Sequence, residues 1–367
     1  MSEAVIIESY SGQHMARDMS LQGDDNHLTI QDVARLAGVS RSTVSRVLTN
    51  HPRVSAEARD VVHRIIAETG YRPSHVARAL VRGRSSLVGV VVPSISTAFY
   101  AELVRGIEKA LGDEFTLAIV STEDDEHLES RAFERLYAAR VAGLIVSTFR
   151  HQSQDLFPKD IPVVFANRAP AEPRHSIVTY DNWRMGYLVT SLLLQQGHRN
   201  IGYLSASLDL PTSRQRREGY LQAMRDAGID PSPVWSQTGG ITMEFGLEAG
   251  RRLIEGKSEI TGLFTDSDIV AIGVMEALWQ VGLSVPRDLS VIACDDSPLA
   301  ALTPVSLTVI RTPRTMVGEV AGGLIKEAIY TGQSMDARAV VLPVELVVRN
   351  SVAFPRRQSH LNRRSAH

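Results

Sequence analysis

The sequence predicts a small all-α helix-turn-helix domain followed by a larger α/β domain of two lobes, each built on a parallel sheet. Three observations carry this. The 367 residues exceed one ordinary core, so two or three domains are expected. Helical apolar periodicity dominates the N-terminal part, whereas from Leu87 onward continuous apolar runs of strand length alternate with amphipathic stretches. Charge divides at the same place. Residues 1–28 hold one arginine against five acids, residues 29–84 ten arginines against four, and the remainder is net acidic. A basic block ahead of an acidic body points to a polyanion as the partner of the block only.

Composition excludes several classes. Hydrophobic content of 44% with 22% charge is that of a folded, soluble chain. The single cysteine, Cys294, cannot form an internal disulfide and speaks against a thiolate metal site. No apolar run approaches the roughly 18–20 residues of a membrane span. The first residues lack a basic segment leading into an apolar one, so export is not expected. A cytoplasmic, nucleoid-associated protein is expected, with no metal, no cofactor and no membrane partner.

Thr29 is placed to cap a first helix whose inward face is Ile30, Val33, Ala34 and Ala37, and Gly38 ends it. Ser40 caps a second helix, Arg41 to Leu48, burying Val44, Val47 and Leu48. Two helices on so tight a turn form a helix-turn-helix, whose second helix can lie in the major groove of double-stranded DNA. Arg41, Ser42 and, one turn on, Arg46 face outward to read bases, while Thr43 and Ser45 suit phosphates. An arginine on guanine gives about 1–3 kcal/mol of discrimination, which makes Arg46 the main reader. Ser55 caps a third helix through Val61, Val62, Ile65 and Ile66 to Gly70. Thr29 and Ser55 complete the candidate contacts of this block. The plainer reading is a three-helix bundle with no DNA role. Ser74 to Leu80 is a helix too short to stand alone. The resulting division is an extension at 1–28, expected to be disordered, a headpiece at 29–72, and a hinge helix and linker at 73–86.

In the body, strands are predicted at 87–92, 115–121, 143–147, 163–166, 201–205, 235–238, 262–265 and 290–294. Helices are predicted at 99–111, 126–139, 181–196, 213–227, 243–255 and 268–281. This alternation implies parallel sheets covered on both faces, with a ligand cleft at the carboxyl ends of the strands. Plainer roles compete for individual residues. Phe99 suits a core, and Asp181 and Asn182 suit a helix cap. Glu123 to Glu126 suits a solvated helix start, and His198 a loop hydrogen bond.

Enzyme motifs are missing: there is no phosphate-binding GxxxxGK[ST] loop, no HExxH and no Gly-Xaa-Ser-Xaa-Gly elbow. Asp295 and Asp296 are adjacent on an extended segment and should point apart, which argues against shared acid/base work. A transport receptor would explain the body but not residues 29–84.

DVARLAGVSRSTVSRVLTN from Asp32, VSAEARDVV from Val54 and YRPSHVARAL from Tyr71 together resemble the headpiece of the LacI/GalR repressor family. The body, to Arg349, resembles that family's periplasmic-binding-protein-like core through VGVVVPSIS, GHRNIGYLS, RQRREGYLQAM, VPRDLSVIACDD and LPVELVVRNS. The likeness implies a hinge that folds when two subunits meet on DNA. Leu80 would wedge into the minor groove, with His75, Val76 and Ala77 beside it. It implies lobes of 87–180 plus 311–341 and of 181–310 plus 342–354, leaving a basic tail at 355–367 that is expected to be disordered. It also implies an effector site of Arg216, with Arg214 as alternative or support, and Asp295 accepting from ligand hydroxyls. Phe99 or Tyr100 would stack, Ser96 would hydrogen-bond, and Ser147, Arg168, Asp181 and Ser267 lie at strand or crossover ends. Two departures stand out: Ser267 precedes Asp268 where many relatives carry Asn, and Thr312 stands where many carry Gln. The expected function is that of a homodimeric repressor on a palindromic operator, controlled allosterically by a small effector, most naturally a sugar or sugar derivative. Whether the effector releases or tightens DNA is left open.

Overall fold

The computed structural model describes residues 28–48, 52–71, 85–148, 157–170, 172–230, 235–256, 258–302, 304–332 and 337–355. The N-terminal extension to residue 27, the tail beyond 355, and the hinge with His75, Val76, Ala77 and Leu80 lie outside the described residues. The chain divides into two compact units, Met1–Val81 and Arg82–His367.

The first unit contains α1 (Ile30–Leu36), α2 (Arg41–Leu48) and α3 (Ala56–Thr69). Each start has a local cause. Thr29 and Asp32 form a reciprocal capping box, Ser40 Oγ accepts the Thr43 N–H at 3.1 Å, and Ser55 Oγ accepts that of Ala58 at 3.3 Å. Gly70, at φ 64°, ends α3 in the left-handed conformation. Val33, Val44, Val47 and Val62 are buried between the three helices with Tyr71. Burying each valine contributes about 1.5–3 kcal/mol.

The second unit has two six-stranded sheets. Sheet one contains β1 (Leu87–Val92), β2 (Thr116–Ser121), β3 (Gly143–Val146), β4 (Val163–Ala166), β5 (Ser176–Tyr180) and, late in the chain, β11 (Ala339–Leu342). Its order is β11-β5-β4-β3-β1-β2, parallel throughout. Sheet two contains β6 (Ile201–Ser205), β7 (Ser236–Thr238), β8 (Gly262–Thr265), β9 (Ser290–Asp295), β10 (Thr308–Arg311) and β12 (Glu345–Val347). Its order is β12-β10-β9-β8-β6-β7, and β12 alone runs antiparallel, against β10. Helices α4 (Ala98–Leu111) and α5 (Glu126–Ala138) belong to the first lobe. Helices α6 (Asn182–Gln195), α7 (Pro211–Asp226), α8 (Met243–Glu255), α9 (Asp268–Gln280) and α10 (Pro298–Leu302) belong to the second, and α11 (Arg314–Thr331) returns to the first, packed on α4. The chain crosses between lobes after β5, after β10, and between β11 and β12.

Helices α6 and α7 meet at Gly186 and Gly219. A Cβ on Gly186 would fall on the Arg216 carbonyl, and one on Gly219 on that of Trp183. The two backbones therefore touch, which fixes where α7 holds Arg216. The same device recurs at Gly106 with Gly318 (α4 on α11) and at Gly246 with Gly273 (α8 on α9).

Candidate functional site

On α2 the apolar stripe turns Val44 and Val47 inward, so Arg41, Ser42 and Arg46 are left on the exposed face and Thr43 and Ser45 half-buried at its edge. The Ser40 hydroxyl lies 2.7 Å from that of Ser42 and 2.9 Å from that of Thr43. Three hydroxyls thus gather at a helix start, where unpaired backbone N–H groups favour an anion. Thr29 and Ser55 serve their helices: the Thr29 hydroxyl donates to Asp32 at 2.7 Å and Ser55 caps α3. Hydrogen bonds from Thr29 hold the Asp32 carboxyl below the usual carboxylate range.

In the second unit, the carboxyl ends of β1, β3 and β4 face those of β6, β8 and β9. Arg216, 7% exposed, comes from α7 into this cleft. Its Nε donates to Asn182 Oδ1 at 2.9 Å, Nη1 to the Asp266 carbonyl at 3.0 Å, and Nη2 to the Tyr180 hydroxyl at 3.2 Å. The Asp266 carboxylate sits 3.7 Å from Nη1 and accepts from the Tyr203 hydroxyl at 2.7 Å and the Ala206 N–H at 3.0 Å. Burial is the largest single influence and works against the Arg216 charge, but Asp266, with Tyr180, Cys294 and Asp295 behind it, together more than offset it, so the guanidinium stays protonated.

Opposite, Arg168 is buried at the end of β4 and its Nη1 donates to Asp124 at 2.7 Å. The acidic run at 123–126 is therefore more than a solvated helix start. Asp125 does cap α5, through the Leu128 N–H at 2.9 Å, but Asp124 turns to Arg168 with φ 56°. Tyr100 is buried beside Arg168, Ser147 and Asn167, and Phe99 lies edge-on to both Tyr100 (5.0 Å) and Tyr180 (6.4 Å).

Asp295 and Asp296 diverge, though the backbone there is not the extended segment expected: both residues have positive φ, 95° and 63°. Asp296 pairs with Arg311 at 2.7 Å and Arg349 at 2.6 Å, whereas Asp295 takes the Ser267 hydroxyl and faces Asp268, which accepts the Ser297 N–H at 2.6 Å. Burial first, then the Asp268 charge, pushes Asp295 up to about 6, against the pull of Arg216 and Arg314. Asp268 is raised as well, chiefly by burial. Two buried carboxylates thus face one another, and burial with mutual repulsion disfavours ionising both.

Arg168, Tyr100, Ser147, Arg216, Ser267 and Asp295 come together at the strand ends. The Ser147 hydroxyl is spent on the Ala166 carbonyl at 2.5 Å, and Ser96 is exposed with its hydroxyl 2.8 Å from that of Ser94. Arg214 is not brought in: it is exposed and donates to the carbonyls of Leu208 and Asp209. Asp181 caps α6 through the Arg184 N–H at 2.8 Å, and His198 bridges Thr261 and the Ala353 carbonyl.

Sequence reasoning passed over Asn167, Asp266 and Arg314. Asn167 Oδ1, Thr312 Oγ1 and Arg314 Nη1 are buried without hydrogen-bond partners. Arg314 also pairs with Glu102 at 3.2 Å. Asp266 carries a readable signal, since it stands directly after an apolar strand. Asn167 and Arg314 carry none, because their roles depend on the crossing of distant segments.

Among the described residues no cluster of His, Cys, Asp and Glu could hold a metal ion, and no helix is long and apolar enough to cross a membrane.

Comparison with known proteins agrees with this architecture. Residues 29–74 match the model for bacterial regulatory proteins of the lacI family, and residues 190–352 that for the periplasmic binding protein-like domain. The ribose operon repressor of Escherichia coli K12 is 34% identical over 86% of this chain and 97% of its own. The NTD biosynthesis operon regulator NtdR of Bacillus subtilis is 31% identical over 88% and 99%. The structure of the lac repressor dimer bound to operator and the anti-inducer ONPF superposes with a TM-score of 0.79 at 25% identity, covering 89% of this chain and 99% of that one. These relatives are regulators, not enzymes. The chain belongs to the lacI family of bacterial regulatory proteins.

Proposed function

We propose that the protein is a repressor that binds a near-palindromic operator as a homodimer, with a small polar effector, a sugar or sugar derivative, setting its affinity for DNA. The observation that carries the ligand half is the set of buried polar atoms left without partners in the cleft: Asn167 Oδ1, Thr312 Oγ1 and Arg314 Nη1. A buried orphan costs about 1–3 kcal/mol, and a hydroxyl-rich ligand would supply both donors and acceptors to satisfy all three. Arg216 uses three of its five N–H groups on the protein, leaving two for that ligand. The DNA half rests on the exposed Arg41, Ser42 and Arg46 face of α2, with Thr43 and Ser45 toward phosphate. The names of the ribose operon repressor and of the operator-bound lac repressor dimer support both halves.

Selection of duplexes from a random library by the full-length protein tests the DNA half. A two-fold symmetric motif is expected, and an asymmetric motif or none overturns it. Thermal-shift screening of sugars, purines and other polar metabolites tests the ligand half. Stabilisation by a sugar that also changes operator affinity is expected, and a response confined to purines overturns the assignment of class.

A further inference from the structure

The first lobe has a cavity at the opposite end of its sheet from the cleft. It holds about 610 Å³, within the ordinary range for a small-molecule site. It lies where β3, β4 and β5 begin, against the last turns of α11. One side of its wall is aliphatic, through Val163, Leu324, Ala328 and Ile329, and the rest of the lining is largely polar. Its rim carries Arg140 and Lys159 with a single acid, Asp160, and neither base forms an ion pair among the described residues. His175 also lines it; burial and the neighbouring Arg174 hold its imidazole below the usual range, so at neutral pH the ring is uncharged and can donate one hydrogen bond.

We propose that this cavity is a binding site, distinct from the cleft, for a small organic anion with an apolar body, such as an aryl or alkyl carboxylate. Arg140 and Lys159 supply charge-assisted hydrogen bonds to the anionic head, and the aliphatic wall takes the body. A lining divided between a basic rim and one aliphatic side suits an amphipathic anion. Ser85, whose hydroxyl accepts the Leu87 N–H at 3.1 Å, lines the same cavity and stands just before β1. An occupant therefore touches the stretch by which the chain arrives from residues 72–84.

Calorimetric titration of the full-length protein with 4-phenylbutyrate, and with its uncharged amide, tests the proposal. The carboxylate is expected to bind saturably in the millimolar range or below, at least tenfold tighter than the amide. The double variant Arg140→Ser, Lys159→Ser should weaken the carboxylate at least tenfold and leave the amide unchanged. Both positions are exposed, and an unaltered thermal midpoint confirms that the variant is folded. The cleft variant Arg216→Lys should bind the carboxylate as the parent does, which separates this site from the effector reading. No saturable binding, equal binding of acid and amide, or a loss in Arg216→Lys with none in the double variant would each overturn it.

Discussion

Arg216 Nε donates to Asn182 Oδ1 at 2.9 Å, joining α7 to the first residue of α6 where the chain has just entered the second lobe. Arg216, proposed above to meet the effector, is thus a structural member of its lobe, and it is the counter-charge of a buried carboxylate, Asp266.

Replacing Arg216 by alanine should accordingly do more than abolish a ligand response. It leaves Asp266 buried and unpaired, a loss of about 3–5 kcal/mol in unfolding free energy. Adding Asp266→Asn to Arg216→Ala should recover part of that loss, since the amide keeps an acceptor for the Tyr203 hydroxyl without the charge. Urea denaturation of the single and double variants checks this, and a double variant no more stable than the single would refute the pairing.

Asp295→Asn should stabilise the protein at pH 7.5 by about 1 kcal/mol, after discounting for its coupling to Asp268. The sign follows from its folded value near 6, above the ordinary 3.8. A raised carboxyl favours the protonated form, so the folded state is penalised above pH 6, and the penalty fades as pH falls toward 4. The advantage of the variant should therefore vanish near pH 4. The same substitution should impair the effector response. A variant that is destabilised at both pH values would contradict the electrostatic account.

Arg46→Ala should relax sequence preference at one base position per half-site, costing about 1–3 kcal/mol in operator affinity. Nonspecific affinity and its salt slope should fall by no more than one phosphate contact's worth. An unchanged binding-site profile would remove Arg46 from the reading face.

Gly219→Ala and Gly323→Ala form a pair of opposite sign. The first places a methyl group on the Trp183 carbonyl and should cost about 1–3 kcal/mol or more. The second, on an exposed face of α11 with open space around it, should gain up to about 1 kcal/mol from helix propensity. Thermal unfolding of the two variants distinguishes a crossing glycine from a dispensable one.

Local signals were legible because their physics is local. The cap at Thr29, the Arg41–Leu48 helix and strands such as Ile201–Ser205 follow from caps, apolar period and run length. Helix α7 begins at Pro211, two residues before the predicted start, because proline suits a first helical turn. The local helix α11, Arg314–Thr331, was passed over, and the rest of what escaped was set by long-range closure. Strands β5 and β10 to β12 are short, and β11 pairs with a strand more than 150 residues earlier. The cleft followed the same rule. Arg216 and Asp295 were marked by their motifs, whereas Asp124 looked like surface charge until β4 brought Arg168 to it.

Strands β11 and β12 lie at corresponding edges of the two sheets, and only Pro343 and Val344 separate them. Three chain steps span at most about 10 Å, so at this edge the lobes are tethered like the spine of a book. The other two crossings leave from the neighbouring strands β5 and β10, on the same side. The far edges, β2 and β7, lie five strand spacings away, roughly 24 Å. A turn of about 10° at the spine would displace the far margin by roughly 4 Å while the tethered margin stays nearly still. The pages open widest at β2, so a partner seated along that margin would feel an occupied cleft most strongly.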